Sequence, residues 1–146
     1  MKSILALILS LTLVFVAADS MAFDDDKSIY FAGDNEPLYG TWINMDYLSR
    51  PPQKIVFNSD GTGGSSSQAD SNELTWKFKT LITGKWTDSD GNIMYKDHWV
   101  GDWGEEGYSL LKISNSGNTL EYVFDSDKHP NKIDPKHSYY RKYTRK

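Results

Sequence analysis

The chain has 146 residues, no cysteine and a formal net charge of −4. That composition excludes a disulfide framework, and the acidic balance argues against nucleic acid as a partner. The charge is uneven: seven acids and one base lie between Asp19 and Asp46, and seven bases and one acid between Lys128 and Lys146.

Lys2 precedes an apolar run from Ile4 to Ala18 that only Ser10 and Thr12 interrupt, and small residues then offer cleavage after Ala18 or after Ala22. This is the pattern of a secretory signal peptide over residues 1–22, and the run is short for a membrane span. An uncleaved anchor is the alternative. The expected location is secreted or periplasmic, with no lipid-attachment cysteine and no transmembrane segment after cleavage. Residues 23–37 are acidic and aperiodic, which predicts a flexible leader.

From Leu38 the signals are those of strands. Leu38, Gly40 and Trp42 share one face of a first strand running to Asp46, and Lys54–Asn58 is a short second strand ended by Ser59-Asp60-Gly61. Gly63–Asp70 is a weak strand or a loose hairpin arm. In the next segment Leu74, Trp76, Phe78, Thr80, Ile82, Gly84 and Trp86 alternate with Thr75, Lys77, Lys79, Thr83 and Lys85. Period two over that length means one buried face and one wet face. Gly84 marks either a bulge or a break between two strands. Thr87–Gly91 reads as a turn, followed by a strand over Asn92–Gly101. Tyr108–Ser114 and Thr119–Asp125 form a hairpin about Asn115-Ser116-Gly117-Asn118. A polar connection with two prolines, Ser126–Pro135, leads to a last strand over His137–Arg145. Helical periodicity and internal repeats are absent after residue 22. Short sequential strands with one long connection predict an all-β, single up-and-down meander barrel of about eight strands over residues 38–146.

The residues resemble those of lipocalin-like domains of the calycin type. The resemblance rests on Gly40-Thr41-Trp42 in the first strand, Asp60-Gly61 closing the next hairpin, the hairpin of residues 112–120, and an arginine-bearing last strand. It implies structural barrel closure by Gly40, Trp42 and Arg141, with Trp42 plugging one end of the barrel and Arg141 lying across it. Arg145 is the alternative cover. Arg141-Lys142-Tyr143 also resembles the Arg-x-Tyr pair on the last strand of intracellular fatty-acid-binding proteins. Residues i and i+2 face the same way on a strand, so in that reading Arg141 and Tyr143 point inward and hold a carboxylate.

Candidate ligand-binding residues are therefore Trp76, Phe78, Trp86, Tyr95, Trp99, Tyr122, Phe124, Arg141 and Tyr143, which together with Trp103 either line a cavity or fill the barrel solid. Catalytic chemistry is not expected. Asp88-x-Asp90-x-Asn92 opens like a calcium loop but has Ile93 and Trp99 where the loop needs glycine and glutamate, so a turn explains it better. Glu105-Glu106 reads as a solvated turn, and no G-x-S-x-G elbow is present. No metal and no cofactor are expected. The expected function is non-catalytic binding of a small apolar or amphipathic ligand. The alternative is a packed barrel that acts on a protein partner, of unknown identity, through its outer surface.

Overall fold

The computed structural model describes residues 36–44 and 52–146. The predicted signal peptide, the predicted leader as far as residue 35 and residues 45–51 lie outside the described residues. Eight strands follow in chain order: β1 (Gly40–Asn44), β2 (Lys54–Phe57), β3 (Thr62–Ser66), β4 (Trp76–Thr87), β5 (Ile93–Gly101), β6 (Glu106–Ile113), β7 (Thr119–Asp125) and β8 (Arg141–Arg145). Each pairs antiparallel with the next, and β8 pairs with β1 through Trp42↔Arg145, Ile43↔Thr144 and Asn44↔Tyr143, which closes an up-and-down barrel. Closure gives each of the eight strands a neighbour on both sides, so none is an edge strand. Among the described residues no helix is long and apolar enough to cross a membrane.

The turns form where the sequence supplies their chemistry. In Asp88–Asn92 the Asp88 carboxylate accepts from the backbone N–H groups of Asp90 and Asn92, each at 2.9 Å, and from the Asn92 side chain at 2.9 Å. That network is a side-chain-capped turn, the tighter of the two readings of this acidic triplet. In the β6–β7 hairpin Gly117 has φ of 76°, a conformation that favours glycine. Asn115 of that hairpin bonds to Asn92 and Asp90 of the neighbouring turn, at 3.3 and 3.4 Å, so the tight turns brace one another at one end of the barrel. The connections between β3 and β4, β5 and β6, and β7 and β8 all emerge at the other end, because an up-and-down meander alternates its ends.

The inward place expected for Trp86 and the length expected for the last strand need correction. Of the two readings of Gly84 the bulge holds: β4 is one strand whose register shifts between Ile82 and Gly84. The extra residue reverses the alternation beyond it. Lys85 takes the phase that a regular strand would have given Trp86, and Trp86 is left 41% exposed on the outer wall with the Lys96 ammonium 5.9 Å from its ring centroid. The last strand is also shorter than His137–Arg145. His137 N donates to Asp134 O and Tyr140 N to His137 O, which makes residues 134–140 consecutive turns before β8 begins.

The barrel is plugged by Trp42, which is fully buried and donates from Nε1 to Leu38 O at 2.9 Å. Arg145, not Arg141, covers it. The Arg145 guanidinium carbon stands 4.2 Å from the Trp42 ring centroid, while Nε donates to Gly117 O at 3.0 Å, one terminal nitrogen to Tyr39 O at 3.0 Å and the other to Pro37 O. Register decides between the two arginines: Arg145 is the direct cross-strand partner of Trp42, whereas Arg141 pairs with Tyr122 on the other side of β8. A Cβ at Gly40 would lie 3.1 Å from the Arg145 guanidinium, so the first residue of β1 leaves the space the cover needs. Leader residues Glu36 and Pro37 are held here as well. Glu36 accepts from Lys85 Nζ at 2.7 Å and from the Tyr95 hydroxyl at 3.0 Å, and burial and Glu36 both raise the pKa of that hydroxyl.

A desolvated cation–π pair contributes about 2 kcal/mol and a hydrogen bond from a charged donor about 1.5–3 kcal/mol. Arg145→Met is therefore expected to lower the stability measured by urea unfolding by roughly 2–4 kcal/mol. Arg141→Met should stay within about 1 kcal/mol of the parent, because an arginine outside the closure is replaced by an apolar chain of similar length. Equal losses from the two variants would refute the assignment of the cover.

Candidate functional site

The inner face of the barrel is built from alternate residues of every strand, and at the end opposite Trp42 they do not meet. A cavity of about 260 Å³ remains, bounded by Ile55, Phe57, Trp76, Phe78, Trp99, Leu111, Tyr122 and Phe124 on the walls, with Pro52 and Tyr139 from the connections at its mouth. Its aromatic lining is ordered by edge and tilt. Trp76 meets Trp99 edge-on at 5.4 Å, Trp99 meets Phe124 edge-on at 5.9 Å, Tyr122 stacks on Phe124 at 5.9 Å, and Phe124 lies 4.4 Å from the Tyr139 ring. Such offset and edge contacts are the favoured arrangements of ring quadrupoles.

Glycines opposite these rings make the room. A Cβ at Gly107 would overlap the Trp99 ring, one at Gly63 the Phe78 ring, and one at Gly101 the Trp76 indole nitrogen. The registers Trp99↔Gly107 and Gly63↔Phe78 make each a direct cross-strand pair, so a large side chain on one strand lies over a missing one on the next.

Polar groups interrupt the aromatic wall at a few points. Asp97, on β5, is 2% exposed and accepts from Thr80 Oγ1 at 2.7 Å through Oδ2, while its Oδ1 has no partner. Burial pushes the Asp97 carboxyl above its ordinary pKa, and the pull from Thr80, Ser109 and the more distant His129 only partly offsets it. Arg141, at the start of β8, donates from one terminal nitrogen to Ser138 O and Tyr140 O at 3.1 and 2.7 Å, and its buried Nε has no partner. Tyr122 stands between the two charges. Burial raises its hydroxyl pKa, with Arg141 pulling it down and Asp97 pushing it up. Ser65 and Ser109 complete the polar points on the wall. At the rim, Trp76 Nε1 donates to Glu105 Oε1, and Glu105 Oε2 is buried without a partner. Glu105 is thus half-buried against Trp76, not a solvated turn residue, whereas its neighbour Glu106 is exposed and pairs with His98 at 3.0 Å.

Of the candidate ligand-binding residues, Trp76, Phe78, Trp99, Tyr122, Phe124 and Arg141 converge on this cavity. Tyr95 and Tyr143 face inward but belong to the packed core, 1% and 0% exposed, and the Tyr143 hydroxyl donates to Pro52 O at 3.2 Å. Trp86 lies outside because of the bulge, and Trp103 is 79% exposed at the β5–β6 connection. Sequence reasoning missed Asp97, Ser65, Ser109 and Glu105. Asp97 carries a signal, since it sits at the same parity as Trp99 in a strand whose aromatic face points inward. Among the described residues no group of three or more His, Cys, Asp or Glu side chains is placed to hold a metal ion. No family model, curated protein or solved structure matches the chain.

The raised pKa of Asp97 has a direct consequence for stability. Its folded value lies above the unfolded value of about 3.9, so its contribution is fully present below that pH and is lost as pH rises through the folded pKa. Asp97→Asn keeps an acceptor for Thr80 and removes the buried charge. The variant is expected to unfold at higher urea than the parent at pH 7, with the advantage shrinking toward pH 4. An advantage that is constant with pH would show that folding does not raise the Asp97 pKa.

Proposed function

We propose that the protein is an exported, non-catalytic, lipocalin-like binding protein that takes a small amphipathic molecule into the barrel. The observation that carries this reading is the cavity itself: a pocket walled by aromatic rings in which the buried Asp97 and the half-buried Arg141 each hold one buried polar atom without a protein partner. Ligand sites are mostly apolar concavities with a few polar groups that fix orientation, and buried polar atoms without partners are costly unless something binds them. The volume is at or below the small end of ligand sites, about the share of eight or nine liquid waters, which favours a compact ligand over a long acyl chain. Release of Arg141 from the barrel closure supports its reading as an anchor for an acid. Export rests on the N-terminal pattern of Lys2 and the Ile4–Ala18 run.

Titration with 3-phenylpropionate and with octanoate, followed by tryptophan emission, tests this. Binding should perturb the emission, Trp99→Phe should remove most of the response, and Trp103→Phe should leave it intact. Ser65→Leu, which fills the cavity from β3, should weaken binding roughly tenfold or more. Absence of any response to both probes would overturn the reading and favour action through the outer surface.

A further inference from the structure

Asp97 and Arg141 are both aimed at the cavity, yet they do not pair with each other. Asp97 projects from β5 and Arg141 from β8, three strand spacings apart, which is about 14 Å along the wall. Ser109 on β6 and Phe124 and Tyr122 on β7 lie between them: Asp97 pairs with Ser109, Ser109 with Phe124, and Tyr122 with Arg141. The interior therefore has an acid on one wall and a base on another, with aromatic rings between. A ligand with a single polar head would satisfy either Asp97 Oδ1 or Arg141 Nε and leave the other of these two buried atoms without a partner.

We propose that the cavity selects a small, rigid aromatic molecule that carries an N–H donor at one end, for Asp97 Oδ1, and a carboxylate at the other, for Arg141 Nε. The inference rests on the binding function proposed above and specifies its ligand class. Three features fix the chemistry. The unpartnered atom of Asp97 is an acceptor and requires a donor, whereas Nε of Arg141 is a donor and requires an acceptor. The separation of the two walls places the ligand's polar groups at opposite ends of its body. The rings of Trp76, Trp99, Tyr122 and Phe124 and the small volume call for a flat and compact body between those ends. An amine donor also stands to gain from the faces of the surrounding rings.

Calorimetric titration of the full mature chain with three matched probes tests this: 4-(aminomethyl)benzoate, 4-methylbenzoate and 4-methylbenzylamine. The first is expected to bind at least about tenfold more tightly than either of the others, as charged hydrogen bonds at both ends imply. Asp97→Asn should weaken 4-(aminomethyl)benzoate and 4-methylbenzylamine and leave 4-methylbenzoate nearly unchanged. Arg141→Met should weaken the two acids and spare the amine. Circular dichroism of both variants confirms that they are folded, and the parent-like affinity of the insensitive probe provides an internal control. If 4-methylbenzoate binds as tightly as 4-(aminomethyl)benzoate and ignores Asp97→Asn, the two-ended ligand is overturned while binding in the barrel stands. If none of the three probes binds and the emission titrations are also silent, the binding function falls with it.

Discussion

The contact between the Arg145 guanidinium and the Trp42 indole is the constraint on which the rest depends. Eight short strands, some of only four or five residues, have little hold on one another as an open sheet, because each ladder contributes few hydrogen bonds. Joining the first strand to the last turns eight weak pairings into a ring in which no strand can leave alone. Arg145 makes the join specific. It covers the ring face and bonds to carbonyls from the chain before β1, at Pro37 and Tyr39, and from the β6–β7 turn at Gly117. One side chain thereby ties two separate stretches of chain, besides its own strand, to the plug. The acceptors are neutral backbone oxygens, so the tie depends less on salt than surface ion pairs between acidic and basic segments would.

With closure secured at one end, the other end carries groups that do nothing for stability. A carboxyl oxygen of Asp97 and the Nε of Arg141, both buried without a partner, are costs to the fold, and the glycines that admit Trp99 and Phe78 remove side chains that would otherwise pack. Stability that is given up locally, at residues converging on one cavity, is the pattern expected of a site for something else. The same walls filled with leucine and valine would make a firmer barrel with no interior.

Much of this architecture was legible in the chain. Period two in Trp76–Ile82, the turn chemistry of Asp88–Asn92 and the hairpin about Gly117 act locally, so they can be read without knowing the fold. The role of Trp42 was legible because Gly40-Thr41-Trp42 opens the first strand. Choosing between Arg141 and Arg145 was not, because it depends on the register between β8 and β1, which is set by the whole circuit of the barrel. The place of Trp86 was lost for a related reason: one inserted residue near Gly84 reverses the parity of all that follows in β4, and glycine alone does not say whether a bulge is present. Asp97 and Glu105 were passed over since isolated acids in strands or turns are usually solvated, and only the packing around them shows otherwise.

The alternation of ends has a consequence for how this chain can change. Every even-numbered connection, between β2 and β3, β4 and β5, and β6 and β7, is a tight turn at the plugged end, where Gly117 and its neighbours hold Arg145. The connections between β3 and β4, β5 and β6, and β7 and β8 lie at the mouth, where Pro52 and Tyr139 already contribute to the cavity. Insertions, deletions or replacements in these alter what the mouth admits without reaching the clasp. The even set has no such latitude. The shape of the mouth and the hold of the clasp are thus written in separate, interleaved portions of a single chain, and alternate loops can be exchanged without touching the closure.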